Sequence, residues 1–277
     1  MPQRLSRNAV ETYRTLGYHF PLDVLSAAEA RDYRVRLEAF EMRQGGPLKG
    51  ELRHRTHMLF TWLDGLIRDP RILDAVEDVL GPNLLCWNSS FFIKEADDPG
   101  FVSWHQDATY WGLSSPDVMT VWVAFTPASL VNGCMKFLPG SQTTQVTHRD
   151  TFDANNLLTR GQEVAVEVDE KDAVCVELEA GQASLHHVLL VHGSAPNRSG
   201  DRRIGYAIRY IPTHVRQIVG ARDSATLVRG VDEYGHFDLE PPPRTDFAPE
   251  ALARHAAITG RQVQVLYRGT DATAYRN

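Results

Sequence analysis

The residues best equipped for chemistry gather in two stretches. The first, VSWHQDATYW at residues 102–111, holds His105 and Asp107 one residue apart. Alternate side chains of a strand share a face, so an imidazole and a carboxylate at this spacing can point at one ion. Taken alone the pair is a weak signal, because a solvated strand end carries it by chance. The second stretch, LHHVLLVHGSAPNRSGDRRIGYAIRY at 185–210, adds His192 at the end of an apolar run. Two histidines and one carboxylate form the facial triad of non-haem Fe(II), which leaves metal positions open for reactants. A structural zinc would instead fill its shell with protein ligands. A zinc hydrolase is the rival chemistry and needs a nearby general base.

These stretches resemble the phytanoyl-CoA dioxygenase family of Fe(II)/2-oxoglutarate oxygenases, and the likeness extends over roughly residues 8–270. The family's H-x-D is matched by His105-Gln106-Asp107 and its distal histidine by His192. Its usual N-G-x-x-x-x-x-P-G-S-H stretch is matched by NGCMKFLPGSQ at 132–142, with Gln142 in place of the last histidine. The resemblance implies that Arg203, eleven residues past His192, grips the distal carboxylate of 2-oxoglutarate with help from Ser194. A planar guanidinium suits that bidentate contact; an ion pair with Asp201 is the plainer alternative. His186 and His187 compete with His192, but only His192 has the serine at +2 and the arginine at +11. In the family the position of His187 often holds a histidine that is not a ligand.

Further residues carry two readings each. Lys94 helps hold 2-oxoglutarate or snorkels from a strand end. Trp122 walls the cofactor pocket or packs in the core. Tyr110 and Trp111 overhang the metal as substrate contacts or pack at the barrel mouth. If Arg203 points inward, alternation puts Gly205, Ala207 and Arg209 on its face. Arg209 then anchors an anionic substrate or forms a buried salt bridge. Residues 227–243 are expected to be an irregular lid, with Tyr234 and His236 touching substrate. The stretch from Arg43 to His57 is expected to be a mobile entrance loop or a solvated one.

The elements that must hold these groups follow from punctuation and texture. Ser6 caps a helix ending at Gly17, Ser26 and Glu29 form a capping box before a helix to about Arg43, and Asp69-Pro70 opens a helix closed by Gly81-Pro82. The first eighty residues therefore read as helical. Segments 84–94, 118–127, 134–138, 183–192 and 203–211 are rich in strand formers between turn residues, and helix returns at 249–257. Helices followed by strands predict an antiparallel core rather than βαβ units. The expectation is mainly β with flanking α-helices. Its core is a double-stranded β-helix of the jelly-roll, cupin-like class, in one domain over 1–277. Residues 1–82 form its mainly helical part, 83–215 the β-helix, and 216–277 a C-terminal lid and helix.

Composition narrows the partners. The 277 residues are 43% hydrophobic and 23% charged, as in an ordinary globular protein. Twenty-nine basic against 35 acidic side chains give −6, which disfavours nucleic acid. The apolar runs Val188–Val191 and Val121–Phe125 are too short to span a membrane. No signal-like leader is read, so the cytoplasm is the expected location. Cys86, Cys134 and Cys175 lack a metal-binding or disulfide pattern and read as packing residues.

The resemblance implies a hydroxylase that uses Fe(II), 2-oxoglutarate and O2 on a small polar or anionic metabolite, releasing succinate and CO2, with ascorbate as reductant in vitro. Related halogenases replace the carboxylate by a small residue, so Asp107 favours hydroxylation. Desaturation, cyclisation, halogenation or a non-catalytic cupin-like binding role are the alternatives. Oligomeric state is left open.

Overall fold

A computed structural model describes residues 3–275. The three foreseen N-terminal helices form as their caps dictate: α1 (Arg7–Leu16) starts at the Ser6 hydroxyl, α2 (Ala27–Gln44) at a complete Ser26–Glu29 capping box, and α4 (Pro70–Leu80) at Asp69 with Pro70 in its first turn. A shorter α3 (Thr61–Ile67) precedes α4. The N-terminal part is not wholly helical. Between α1 and α2, Tyr18–Asp23 forms β1, which pairs with Gln182–His187. A six-residue strand broken by Pro21 carries too little alternation to be seen in isolation.

Thirteen strands follow in chain order: β1, β2 (Leu84–Lys94), β3 (Val102–His105), β4 (Met119–Ala124), β5 (Met135–Phe137), β6 (His148–Asp150), β7 (Gln162–Val164), β8 (Val174–Val176), β9 (Gln182–His187), β10 (His192–Ser194), β11 (Arg203–Pro212), β12 (Ser224–Arg229) and β13 (Asp238–Leu239). They build a seven-stranded sheet, β1-β9-β4-β11-β2-β12-β13, a four-stranded sheet, β3-β10-β5-β8, and a small β6-β7 ladder. All pairs are antiparallel except β12–β13. This is the expected double-stranded β-helix.

The large sheet is apolar on both faces. Val121 and Val123 of β4, with Ile204, Tyr206 and Ile208 of β11, pack against α1–α4. The alternate residues Trp122, Ala124 and Ala207 face the small sheet and meet Met135 and Phe137. Period-two alternation thus commits one face of β11 to the core and the other to the space between the sheets. The expected single strand 183–192 is two. β9 ends at His187 in the large sheet, the chain turns through 188–191, and β10 starts at His192 in the small sheet. A continuous apolar run conceals this change of sheet because both halves are buried.

The Arg43–His57 stretch is a solvated loop over most of 43–51, as one reading expected, but not at its end. Its two 3-10 turns bring Arg55, left-handed at φ 49°, and His57 into the interior, where both are fully buried. Arg55 pairs with Asp223 at 2.9 Å and Glu240 at 2.6 Å, and His57 bridges Ser89 Oγ (2.6 Å) and Glu240 (3.2 Å). Glu240 also accepts hydrogen bonds from Ser224 and Thr226. Removing one member of such a group leaves uncompensated buried charge, which typically costs about 3–5 kcal/mol. Arg55→Met should therefore lower the free energy of unfolding by about that amount in urea titrations. A loss below about 1 kcal/mol, the range of exposed pairs, would show the network to be ornamental.

Candidate active site

The backbone register brings the first two ligand candidates together: His192 of β10 lies directly opposite His105 of β3. Asp107 is not on the strand with His105 but opens a 3-10 turn over Asp107–Tyr110. The turn still returns its carboxylate, and Oδ1 lies 3.2 Å from His105 Nε2. Among the described residues, His105, Asp107 and His192 are the group able to hold a metal, with ligand atoms within 4.8 Å of one another. All three are buried.

The hydrogen bonds set the tautomers. His105 Nδ1 lies 2.9 Å from the Ser103 carbonyl and 3.0 Å from that of His192, and His192 Nδ1 lies 2.9 Å from the Leu190 carbonyl. A carbonyl only accepts, so both Nδ1 atoms carry the proton and both Nε2 lone pairs are free for a cation. Burial pushes the His192 pKa down to about 4, with His105 adding to the shift, so the ring is neutral near pH 7. Burial alone would raise the Asp107 pKa, but its contacts with His105 and His192 and the nearby Arg209 guanidinium hold it below the usual carboxylate range. Two imidazole nitrogens and a carboxylate oxygen are a donor set that suits iron(II). His186 is buried beside His192, with ring centroids 4.8 Å apart, and His187 accepts from the Leu189 N–H; neither joins the cluster.

Gln106, between the two ligands, has no exposure. Its amide donates to the Thr144 and Leu189 carbonyls and accepts from the Val146 N–H, and its own N–H donates to His148 Nε2. Sequence reasoning passed over this brace, because a glutamine between two ligands carries no pattern of its own.

Two connected cavities meet at the triad. The inner one, about 410 Å³, is lined by His105, Asp107, Trp122, His192, Ser194 and Arg203. Arg203 is buried without an ion-pair partner among the described residues, and burial lowers its pKa to about 10. One of its nitrogens donates to the Gly133 carbonyl at 2.8 Å, and its guanidinium lies 5.3 Å from the Trp122 ring centre. The Trp122 ring occupies the place a side chain would need at Gly205, where a Cβ would sit 1.8 Å from it. Lys94 lies opposite Arg203 in the β2–β11 register but behind the lining. Its amine donates to Ser194 Oγ at 2.7 Å and to the Ala195 carbonyl. Because Ser194 Oγ accepts from Lys94, its own O–H remains available to donate into the cavity.

The outer cavity, about 830 Å³, shares Phe92, Asp107 and Arg209 with the inner one. Tyr110 and Trp111 line it; Tyr110 is held by Asp150 at 2.7 Å, and Trp111 packs 5.0 Å from Trp87. Arg209 is buried and makes no salt bridge among the described residues, so the salt-bridge reading is corrected. It donates to Ser90 Oγ at 2.9 Å and leaves Nε without a partner. The lid expectation for 227–243 does not fit. Tyr234 is 55% exposed and stacks on His236, and neither lines a cavity around the triad. The cover is instead α5 (Pro249–Leu266), through Gln262, Val265 and Leu266, with Leu157–Thr159 and Tyr275.

With this geometry in place, comparison shows what the chain is similar to. The profile of the family described as phytanoyl-CoA dioxygenase (PhyH) matches residues 13–205, which takes in the triad and Arg203 but stops short of Arg209. The solved structure of the non-heme monooxygenase ThoJ, in its apo form, is 35% identical, with a TM-score of 0.83 over 93% of this chain and 97% of that one. CytC3 with Fe(II) and alpha-ketoglutarate is 26% identical, with a TM-score of 0.65 over 89% and 98%. The "probable alpha-ketoglutarate-dependent hypophosphite dioxygenase" of Stutzerimonas stutzeri is 32% identical over 54% of each chain. The match thus spans about half the length of that curated relative.

The buried neutral histidines make the metal-free protein acid-sensitive. His192, His186 and His54 all have pKa values lowered by burial, so between pH 6.5 and the lowered values the unfolded chain binds more protons than the folded one. Stability should fall as pH drops from about 6.5 towards 4. Anaerobic Fe(II), or Ni(II) as a redox-inert probe, should raise the melting temperature of the wild type at pH 7 and leave His192→Ala unmoved. An equal shift in the variant would mean that the metal binds elsewhere.

Proposed function

Because the chain belongs to the phytanoyl-CoA dioxygenase family, we propose that it is an Fe(II)- and 2-oxoglutarate-dependent oxygenase that hydroxylates a small polar or anionic metabolite. The observation that carries this reading is one cavity holding both an open two-His, one-Asp cluster and an unpaired buried arginine. Iron with 2-oxoglutarate and O2 supplies the oxidation, in which the keto acid becomes succinate and CO2 and one oxygen atom enters a substrate C–H bond.

The protein's part is placement. His105 and His192 present Nε2 because their Nδ1 protons are tied to carbonyls, and with Asp107 they would hold the metal. Arg203 and the Ser194 hydroxyl offer donors to the far carboxylate of 2-oxoglutarate, with Lys94 orienting the serine from behind. Trp122 and Met135 give the inner cavity an apolar wall. Asp107 occupies the position that a halide would need, which supports hydroxylation over halogenation. Arg209, at the junction of the cavities, is suited to an anionic group on the substrate.

Succinate formation on adding Fe(II), 2-oxoglutarate, ascorbate and candidate metabolites tests the reading. Anaerobic Fe(II) with 2-oxoglutarate should give a visible charge-transfer band, absent in His105→Ala and weakened in Arg203→Ala. A wild type with neither band nor succinate would support a binding protein instead.

Lys94 adds a pH signature. Burial, reinforced by Arg203, lowers its pKa to about 6, so the free site holds a neutral amine at pH 7.5. A bound dicarboxylate favours the ammonium form and raises that pKa. Binding of 2-oxoglutarate should then take up a proton near pH 7.5 and weaken as pH rises. Calorimetry in buffers of different ionisation enthalpy would read this uptake, and Lys94→Met should abolish it.

A further inference from the structure

The outer cavity contains two polar groups whose partners are missing, and they sit side by side. Arg209 of β11 lies opposite Asn88 of β2 in the sheet register, and both line the cavity. Side chains paired across antiparallel strands have Cβ atoms roughly 5 Å apart. Among the described residues Arg209 Nε has no partner, and neither has Asn88 Oδ1, although both atoms are buried. An orphaned cation and an orphaned acceptor at neighbouring positions of one cavity each cost free energy until something satisfies them.

The orientation of Asn88 is fixed by a chain of donors and acceptors. Asp223 accepts from Arg55 (2.9 Å), from Trp87 Nε1 (2.8 Å) and from Gln262 Nε2 (3.3 Å). An ionised carboxylate only accepts, so Gln262 must turn its NH2 to Asp223 and its oxygen away. That oxygen receives the Tyr275 hydroxyl at 3.2 Å and Asn88 Nδ2 at 3.3 Å. Asn88 has therefore committed its NH2, and its oxygen is the atom left over. The buried Arg55 network thus has an end inside the cavity and dictates that this position accepts a hydrogen bond.

Charge completes the picture. The carboxylates of the outer lining are Asp107, a metal-ligand candidate, and Asp223, already paired with Arg55. No free acid competes for Arg209 among the described residues, while Phe92, Trp87 and Trp111 supply an apolar wall. A ligand satisfying both orphans carries an anion and an N–H donor close together in one molecule. We propose that the substrate is an α-amino acid or a compound bearing that unit, its carboxylate on Arg209 and its N–H on Asn88 Oδ1. This deepens the oxygenase reading and rests on it for the reaction, though not for the binding.

Calorimetry on the anaerobic Fe(II)/2-oxoglutarate complex tests it, with the proteinogenic L-amino acids and their N-acetyl derivatives as probes. At least one probe should bind. Replacing its amine by hydrogen, or its carboxylate by a carboxamide, should each weaken binding by about tenfold or more, the scale of a hydrogen bond to a charged group. Arg209→Gln should lose about as much for every carboxylate probe, while 2-oxoglutarate affinity changes less than about threefold. Asn88→Leu should erase the preference for the amine over its deamino analogue. If no probe binds while the charge-transfer band forms, or if deamino analogues bind equally well, the proposal fails and the oxygenase reading stands. If Arg209→Gln instead loses the band, Arg209 serves the cosubstrate and the proposal fails too. If the wild type shows no band, the oxygenase reading falls, and the same titrations on metal-free protein decide the amino-acid site alone.

Discussion

Everything at the candidate metal site depends on the backbone pairing of β3 with β10. His105 and His192 are 87 residues apart in the chain, and no side-chain attraction would bring two imidazoles together in a buried place. The ladder does so by placing them opposite one another, and the His192 carbonyl then orients the His105 ring. The pairing requires close approach. A side chain at Gly193 would meet the Val102 carbonyl at 2.9 Å, so the residue after the second histidine must be small. Backbone hydrogen bonds place these two ligands, and the turn after β3 needs only to return Asp107 to them.

A second constraint is set by one face of β11. Arg203 and Arg209 sit six residues apart on that face, about 20 Å along an extended strand, with Gly205 and Ala207 between them. The small residues are what open the space: Gly205 admits the Trp122 ring, and Ala207 lines the inner cavity. Among the described residues each arginine is buried without a carboxylate partner, a state that costs stability unless an anion arrives. The fold thus holds two separate demands for negative charge, one at each end of the inner cavity. The other face of the same strand is wholly committed to the helical core, so neither arginine can turn away without unpicking it.

Much of this was legible in the residues. The caps at Ser6, Ser26 and Asp69 define helix starts through local hydrogen bonds that need no tertiary context. The alternation of β11 was readable because a strand with one polar cavity face has a visible period. The 183–192 run was read as one strand because a change of sheet between two buried stretches leaves no polar mark. Residues 43–57 looked solvated because four basic side chains usually are. Only the distant Asp223 and Glu240 explain why Arg55 is inside. Tyr234 and His236 were placed at the site by loop composition alone, which says nothing about where a loop lies.

The division of labour along the chain follows from these constraints. The ligands, Ser194 and Arg203 all lie before residue 205, in the part whose likeness to the family is detected. The groups that give the outer cavity its character, Arg209, Asp223, Gln262 and Tyr275, lie after it. A cofactor of fixed shape demands fixed geometry, so its ligands come from adjacent strands of a stiff barrel. A substrate that varies between relatives needs a wall that can vary without disturbing that barrel. Here the wall is a helix and a C-terminal segment laid over the opening, joined to the barrel through the buried Arg55–Asp223 pair. Asn88 takes its orientation from that pair through the wall itself, because a buried guanidinium fixes the carboxylate, the carboxylate fixes the amide of Gln262 on the helix, and that amide fixes the next.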